Sequence, residues 1–214
     1  MNIKEISQVG KQVLELGQAL IIGISIGNKY FKDENLRKLI KFGLDSRACK
    51  IYIMIPDEPM VATLMAFGKT EVQAQRVARL KANALENKCT AIAKELGADI
   101  LIIRWKDVVT NSSYIQFLND LRKYFYEDRV FRGDVRQVTA EVLLNNSGFA
   151  NALNLEIGVQ FLLKELAFIL MSNRILGEET IAYVYHKTMS VLKSAVEHKY
   201  SLYNGSSVGY ITAE

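Results

Sequence analysis

Histidine and cysteine are scarce in this sequence. Its 214 residues include two histidines, His186 and His198, and two cysteines, Cys49 and Cys89. The cysteines are too few for a disulfide framework and too far apart for a zinc motif, and two histidines leave little room for a metal site built on imidazole. The sequence therefore predicts no metal site, and a reducing cytoplasm is the simplest location for the protein.

Long apolar runs and glycine-rich phosphate motifs are also missing. No run approaches the roughly 20 apolar residues of a membrane span, and residues 1–6 show no basic segment followed by an apolar core, as a secretory signal would. Neither G-x-x-x-x-G-K-S/T nor G-x-G-x-x-G occurs, so we expect no cofactor. The net charge of +4 is a mild excess that matters only if basic residues cluster.

Apolar strands alternate with helices along most of the chain. The patterns predict strands at 19–25, 51–55, 99–103 and 181–185, and helices at 33–44, 60–67, 69–96, 113–126, 128–144, 149–171 and 188–198. This alternation favours a single α/β domain over residues 1–200, with a parallel sheet flanked by helices and right-handed crossovers. The segment 201–214 is rich in glycine and serine, so we expect it to be a flexible tail.

The first predicted strand ends in Gly23-Ile24-Ser25-Ile26-Gly27. Ligands of parallel α/β sheets bind outside the carboxyl ends of the strands, and flanking glycines let a serine approach a ligand closely. The stretch is also compatible with an ordinary turn in which Ser25 bonds local backbone. It spells the G-x-S-x-G of α/β-hydrolases, with His186 as the reasonable base, but the H-G-G-G oxyanion signature is missing.

Two further positions combine polar chemistry with apolar surroundings. Glu165 lies in an apolar helix. Its carboxylate is either exposed to solvent at the edge of the apolar face of that helix, or buried with a raised pKa that suits proton transfer. Tyr183 and Tyr185 share one face of the last predicted strand, just before His186. Tyrosines in strands are explained by packing on local grounds.

Several residues form an ordered set across residues 19–187. In chain order they are Gly23-Ile24-Ser25 after an apolar pair, Asn28, Glu165 in an apolar helix, and Tyr185-His186. This set resembles the cyclodipeptide synthases, in the branch of the family marked by an asparagine, a tyrosine and a histidine. The long basic helix at 69–96 stands in the place expected for that family.

The chain departs from the family pattern at three positions. Ala19 replaces a histidine, Ala167 replaces a proline, and Phe161 replaces a tyrosine. The family's tyrosine at the last position holds the aminoacyl amino group through its hydroxyl. Phenylalanine keeps the shape but loses that hydrogen bond, which is worth about 1 kcal/mol or more. We therefore expect weaker activity, or another residue that holds the amino group.

The resemblance implies a Rossmann-like domain related to class I aminoacyl-tRNA synthetases. It implies that two aminoacyl-tRNAs form a cyclic dipeptide through an ester on Ser25, with Glu165 moving protons. The Gly23 backbone and the Tyr185 hydroxyl would stabilise the oxyanion. Asn28 would position the loop, and His186 would orient Tyr185.

The same resemblance assigns two sets of binding residues. The first aminoacyl pocket would be lined by Ile21, Ile53, Phe161, Phe168 and Tyr183. The tRNA backbone would meet Arg76, Arg79, Lys81 and Lys88 on the long helix, although a solvated helix face explains any one of them equally well.

Two other functions remain open at this point, and so does the oligomeric state. One is a serine esterase that uses Ser25 and His186, and the other is a non-catalytic tRNA-binding domain of synthetase-like fold, which Phe161 would permit. We expect a monomer, because no exposed heptad seam is visible.

Overall fold

A computed structural model describes residues 1–147, 152–203, 205 and 207–214. Within these residues six strands form one sheet in the order β1-β6-β5-β2-β3-β4. The strands are β1 (Ile3–Ile6), β2 (Ala19–Gly23), β3 (Ile51–Ile55), β4 (Leu101–Arg104), β5 (Ile181–Tyr185) and β6 (Val208–Ala213). The helices are α1 (Gln8–Leu16), α2 (Asp33–Asp45), α3 (Asp57–Ala66), α4 (Glu71–Leu96), α5 (Trp105–Val108), α6 (Ser112–Glu127), α7 (Arg129–Ser147), α8 (Ala152–Leu176) and α9 (Ser190–Val196).

The strand order reverses between β2 and β5. From β2 the chain adds β3 and then β4 on one side, and it later returns to place β5 and β6 on the other side. All four of these pairings are parallel, whereas β1 joins β6 as an antiparallel edge strand. The gap between the carboxyl ends of β2 and β5 is therefore a topological switch point, where open α/β sheets bind their ligands.

The sheet is buried on both faces. Ile21 on β2 and Tyr183 on β5 belong to an apolar cluster with residues of α5, α6, α7, α8 and α9. Ile22 and Val184, their neighbours along the strands, belong to a second cluster with α1, α2 and α4. Right-handed crossovers that run in opposite directions from a switch point place their helices on opposite faces, which explains this division.

The α/β fold and the four predicted strands are confirmed, and the ends of the predicted helices differ by a few residues. The predicted start of one helix at Phe149 lies outside the described residues. The prediction of a flexible tail over 201–214 is wrong for residues 208–213, because these form the buried strand β6 between β5 and β1. Residues 204 and 206 of that segment are outside the described part of the chain.

A close contact between α1 and β6 explains why the last segment is ordered. Ser7 caps α1, and its Oγ accepts hydrogen bonds of 3.0 Å from the N–H groups of Gly10 and Tyr210. A Cβ built on Gly209 would lie 2.4 Å from the backbone nitrogen of Gly10. Helix and strand can approach this closely only because neither glycine carries a side chain.

Arg104 ties two helices to the end of β4. Its Nε donates to Asp57 at 2.9 Å, and its Nη1 donates to Glu86 at 2.6 Å and to Asn83 at 3.1 Å. Asp57 also accepts the N–H of Trp105 at 3.0 Å. The Arg104 side chain is 11% exposed, so these bonds lie largely out of water, where charged pairs are screened little. They hold the long helix α4 beside the carboxyl edge of the sheet.

The contact between α1 and β6 predicts opposite effects for two glycine substitutions. Gly209→Ala forces backbone to move, and we expect it to lower the free energy of unfolding by about 1–3 kcal/mol. Gly133→Ala is the control, since a Cβ there meets nothing within 4 Å and alanine favours the helix by about 0.5–1 kcal/mol. Urea unfolding of both variants measures the two shifts, and equal stabilities would contradict the close packing of α1 on β6.

Candidate active site at the switch point

Ser25 and Tyr185 meet at the switch point. Ser25 follows the end of β2, and Tyr185 is the last residue of β5. Because these strands are parallel and paired, their carboxyl ends lie side by side. The Ser25 Oγ and the Tyr185 hydroxyl share a hydrogen bond of 2.6 Å. Burial and the nearby Glu165 carboxylate raise the pKa of Tyr185, so its hydroxyl keeps its proton at neutral pH.

Asn28 holds the loop that carries Ser25. Its N–H donates to the Ser25 carbonyl at 3.2 Å, and its Oδ1 accepts the N–H of Tyr30 at 2.9 Å. A hydrogen bond from the same side chain also partly offsets the rise in the pKa of Tyr185. Gly27, with φ of +83°, provides the left-handed turn between Ser25 and Asn28. Local hydrogen bonds to Asn28 therefore hold this loop.

Glu165 lies inside the protein on α8, among apolar residues that are also buried. Within the described residues its carboxyl forms no ion pair, and burial raises its pKa to about 7. Burial and the charge of this carboxyl both raise the pKa of Tyr183 and of Tyr185. Of the two interpretations that the sequence left open, the structure shows the buried carboxyl.

Gly23 makes room for Tyr183. A Cβ built on Gly23 would lie 1.9 Å from the Tyr183 hydroxyl oxygen, so no other residue fits there without moving that ring. The Tyr183 hydroxyl is fully buried and has no hydrogen-bond partner in the described part of the chain. The next N–H along the strand, that of Ile24, donates to Met54 at 3.3 Å. The Tyr185 hydroxyl is the side-chain group that is hydrogen-bonded to the Ser25 hydroxyl.

His186 packs among aromatic rings beside the site. Its ring stacks on Tyr30 with a centroid separation of 4.0 Å and contacts Phe31 and Tyr185 at 5.1 and 4.4 Å. Burial lowers its pKa to about 4, which leaves the imidazole neutral at pH 7. No hydrogen bond joins His186 to Ser25 among the described residues. The serine–histidine pair of an esterase is therefore not assembled here.

The predicted pocket residues fall on different sides of the sheet. Ile21, Phe168 and Tyr183 belong to one apolar cluster on the face that α8 covers. Ile53 belongs to the cluster on the opposite face, so its assignment to the same pocket is wrong. Strand register explains the error, because Tyr52 pairs with Ile21 and Met54 pairs with Gly23, which puts those two β3 residues on the α8 face.

Two aromatic residues beside this pocket, Trp105 and Tyr114, were missed by sequence reasoning. Trp105 is fully buried, and its ring lies 5.6 Å from Phe168 and 6.1 Å from Tyr114. The tryptophan directly follows β4, so its position after a predicted strand was the available signal. Phe161 is half-buried on α8, one turn before Glu165.

The four basic residues of α4 do not share one environment. Arg76, Arg79 and Lys81 are exposed, and none of them forms an ion pair within the described residues. Lys88 instead pairs with Asp33 at 2.6 Å. The Lys81 Nζ reaches the loop after Ser25, because a Cβ on Gly27 would lie 3.5 Å from it. One end of the basic surface thus borders the candidate nucleophile.

A cavity in the described part of the chain lies away from this site. It measures about 360 Å³ and is lined by residues of α6, the last turns of α8 and the segment before β6. These elements meet at the amino edge of the sheet, opposite Ser25. Within the described residues no group of three acidic, histidine or cysteine side chains could hold a metal ion, and no helix is long and apolar enough to cross a membrane.

Solved structures with the same fold include a cyclodipeptide synthase from Staphylococcus haemolyticus, with a TM-score of 0.87 at 21% identity over 99% of this chain and 98% of that one. A tyrosyl-tRNA synthetase from Archaeoglobus fulgidus superposes with a TM-score of 0.60 at 11% identity, over 99% of this chain and 61% of that one. The Rossmann-like fold expected from the resemblance is therefore confirmed, together with its likeness to a synthetase.

Sequence comparison gives the family. A cyclo(L-tyrosyl-L-tyrosyl) synthase from Mycobacterium tuberculosis (strain CDC 1551 / Oshkosh) is 24% identical over 179 residues, which are 81% of this chain and 62% of that relative. The chain thus spans about three fifths of the length of that relative. The sequence model of the cyclodipeptide synthase family matches residues 1–214 of this chain. By sequence over its whole length and by fold, the chain belongs to the cyclodipeptide synthase family.

Proposed function

We propose that the protein makes a cyclic dipeptide from two aminoacyl-tRNAs through an aminoacyl ester on Ser25. The observation that carries this proposal is the 2.6 Å hydrogen bond between Ser25 and Tyr185, at a switch point where Glu165 is buried nearby. A hydroxyl nucleophile, a protonated donor and a carboxyl that titrates near neutral pH are the groups that acyl transfer requires.

In the first step the Ser25 oxygen attacks the ester carbonyl of an aminoacyl-tRNA. The new ester forms on Ser25, the bond to the terminal ribose of the tRNA breaks, and the serine proton ends on the ribose oxygen. The Tyr185 hydroxyl, 2.6 Å from Ser25 Oγ, donates to the developing oxyanion. Because the ester of the substrate is already activated, this step needs no ATP.

In the second step the amine of another aminoacyl-tRNA attacks the ester on Ser25. The ester bond breaks, Ser25 regains a proton, and a dipeptidyl-tRNA results. The amine of the first residue then attacks the remaining ester carbonyl, which closes the six-membered ring and releases the tRNA. Glu165 takes the amine protons in these steps, since a carboxyl with pKa of about 7 both accepts and returns protons at neutral pH.

Two residues position this machinery. Asn28 holds the loop through its bonds to Ser25 and Tyr30. His186 is neutral and its ring packs at a tilt against Tyr185, so it orients the tyrosine ring by contact. The tRNA backbone meets Arg76, Arg79 and Lys81, whose charges are unpaired within the described residues. Lys88 contributes less, because Asp33 already neutralises its charge.

Replacing the nucleophile tests the proposed intermediate. We expect cells that express the protein to release cyclic dipeptides, and we expect Ser25→Ala to abolish them because no ester can form. Mass spectrometry of the culture medium measures the product, and intact-protein mass spectrometry detects the ester after incubation with charged tRNA. The His186→Phe variant is the matched comparison, since it keeps an aromatic ring and should still acquire the ester. An unchanged product from Ser25→Ala would refute the proposal.

The buried carboxyl predicts a pH-dependent rate. With a pKa of about 7, Glu165 becomes a competent base as pH rises from 6 to 8, so product formation should increase across that range. Glu165→Gln should lower the rate by roughly 10²- to 10⁴-fold and abolish this rise. Initial rates between pH 5.5 and 8.5 measure both effects.

The pH dependence of the free energy of unfolding tests the burial of Glu165 independently of the reaction rate. A carboxyl whose pKa is raised by folding binds more protons in the folded state, so the wild-type free energy of unfolding falls as pH rises from about 4.5 to 7. Glu165→Gln should remove that decline, which amounts to about 3 kcal/mol. If the free energy of unfolding depended on pH in the same way for the wild type and Glu165→Gln, the Glu165 carboxyl would have to be exposed to solvent.

The basic surface predicts a salt-dependent affinity for tRNA. If Arg76 and Arg79 each contact a phosphate, replacing either by glutamine should reduce the slope of log affinity against log salt by roughly 0.7 to 0.9. Lys88→Gln is the matched control and should change the slope less, because Lys88 is paired with Asp33. Filter binding between 50 and 300 mM salt gives the slopes. Equal slopes for all variants would exclude this helix face as the contact surface.

A further inference from the structure

The Tyr183 hydroxyl is buried without a partner beside the candidate nucleophile. Its oxygen is sealed from solvent and makes no hydrogen bond within the described part of the chain. A buried hydroxyl in that state destabilises the folded protein, and phenylalanine at the same position would avoid that cost. Packing alone therefore does not account for a tyrosine here.

The position of this hydroxyl is well defined. It lies over the Cα of Gly23, two residues before Ser25, because a Cβ on Gly23 would be 1.9 Å from it. The ring is stacked at 6.1 Å on that of Tyr185, the partner of Ser25. The Glu165 carboxyl acts electrostatically on both tyrosines. The unpartnered hydroxyl therefore lies beside the backbone that leads to Ser25, and the charge of Glu165 acts on it.

We propose that the Tyr183 hydroxyl binds the α-amino group of the first aminoacyl group while that group is esterified to Ser25. This inference rests on the proposed function. An α-amine lies one carbon from the ester carbonyl, and it has protons for both a hydroxyl oxygen and a carboxylate. Tyr183 and Glu165 would hold it together, and Tyr185 stays with the carbonyl oxygen.

The neighbouring residues leave this role to Tyr183. Phe161, one turn before Glu165 on α8, has no hydroxyl. Phe168 and Ile21 complete the same apolar cluster and offer no polar side-chain atom. The imidazole of His186, whose Nδ1 is also buried without a partner in the described part of the chain, packs against the rings of Tyr30 and Tyr185. Tyr183 is consequently a binding residue for the amine, and it also defines one wall of the pocket.

The test compares two acyl groups on the same tRNA. The substrates are the charged tRNA that the wild-type protein accepts best among alanyl-, leucyl-, phenylalanyl- and tyrosyl-tRNA, and the same tRNA with the corresponding acyl group that lacks the amine. Acylation of Ser25 is followed by intact-protein mass spectrometry. For Tyr183→Phe we expect acylation by the aminoacyl-tRNA to fall about 10- to 100-fold, with little change for the acyl group without an amine.

The melting temperature of Tyr183→Phe distinguishes binding of the amine from a purely structural role of Tyr183. Tyr183→Phe removes an unsatisfied buried hydroxyl, so its melting temperature should equal or exceed that of the wild type. The matched control is Tyr210→Phe on the adjacent strand, whose hydroxyl donates to Glu197 at 3.1 Å. That variant should lose a little stability and keep the preference for the amine.

A second variant restores the hydroxyl from the neighbouring helix. Adding Phe161→Tyr to Tyr183→Phe should recover part of the lost preference, because the new hydroxyl sits one turn from Glu165 on α8. Tyr183→Phe with unchanged acylation, or with equal losses on both substrates, would overturn the inference and leave the Ser25 ester intact. A wild-type protein that forms no ester from any of the four charged tRNAs would instead refute the proposed function, and this inference with it.

Discussion

The parallel pairing of β2 with β5 is the constraint on which the site depends. Ser25 follows one of these strands and Tyr185 ends the other, so their hydrogen bond exists only while the two strands stay in register. A shift of one residue would turn Tyr183 and Tyr185 to the other face, away from α8 and Glu165. The register is protected by burial, since the strand residues beside these positions are almost completely enclosed on both faces.

The site also contains two polar side chains, Glu165 and Tyr183, that are buried among apolar residues. Glu165 and Tyr183 are both buried without compensating bonds in the described part of the chain, and each lowers the stability of the empty protein. Both groups lie near Ser25, whereas Arg104, at the end of β4, is fully paired. Two uncompensated buried groups thus lie where substrate is proposed to bind, and Trp105 Nε1 and His186 Nδ1 are also buried without a partner among the described residues.

Much of this arrangement could be predicted from the sequence. Apolar runs closed by glycine or turn residues identified β2, β3 and β5, and the resemblance to the cyclodipeptide synthases implied that Ser25, Glu165 and Tyr185 share one site. β6 was missed because its order depends on contacts with α1, which lie about two hundred residues away in the chain. Such non-local contacts leave no local pattern to read.

The error at Ile53 has a different origin. In a strand buried on both faces every residue is apolar, so the sequence does not reveal which side chains point to which helix layer. Only the pairing of Met54 with Gly23 determines which alternate residues of β3 face α8. The unpartnered state of the Tyr183 hydroxyl was equally invisible, because local patterns favour tyrosine in any half-buried strand.

The place of β6 in the sheet has a consequence for synthesis on the ribosome. β5 lies between β2 and β6, and β6 is in turn held by α1 and β1 from the beginning of the chain. Residues 208–213 must therefore leave the exit tunnel before β5 has both neighbours. The strand that carries Tyr185 becomes fixed late, so a nascent chain holds Ser25 for most of its synthesis without the hydroxyl that bonds to it.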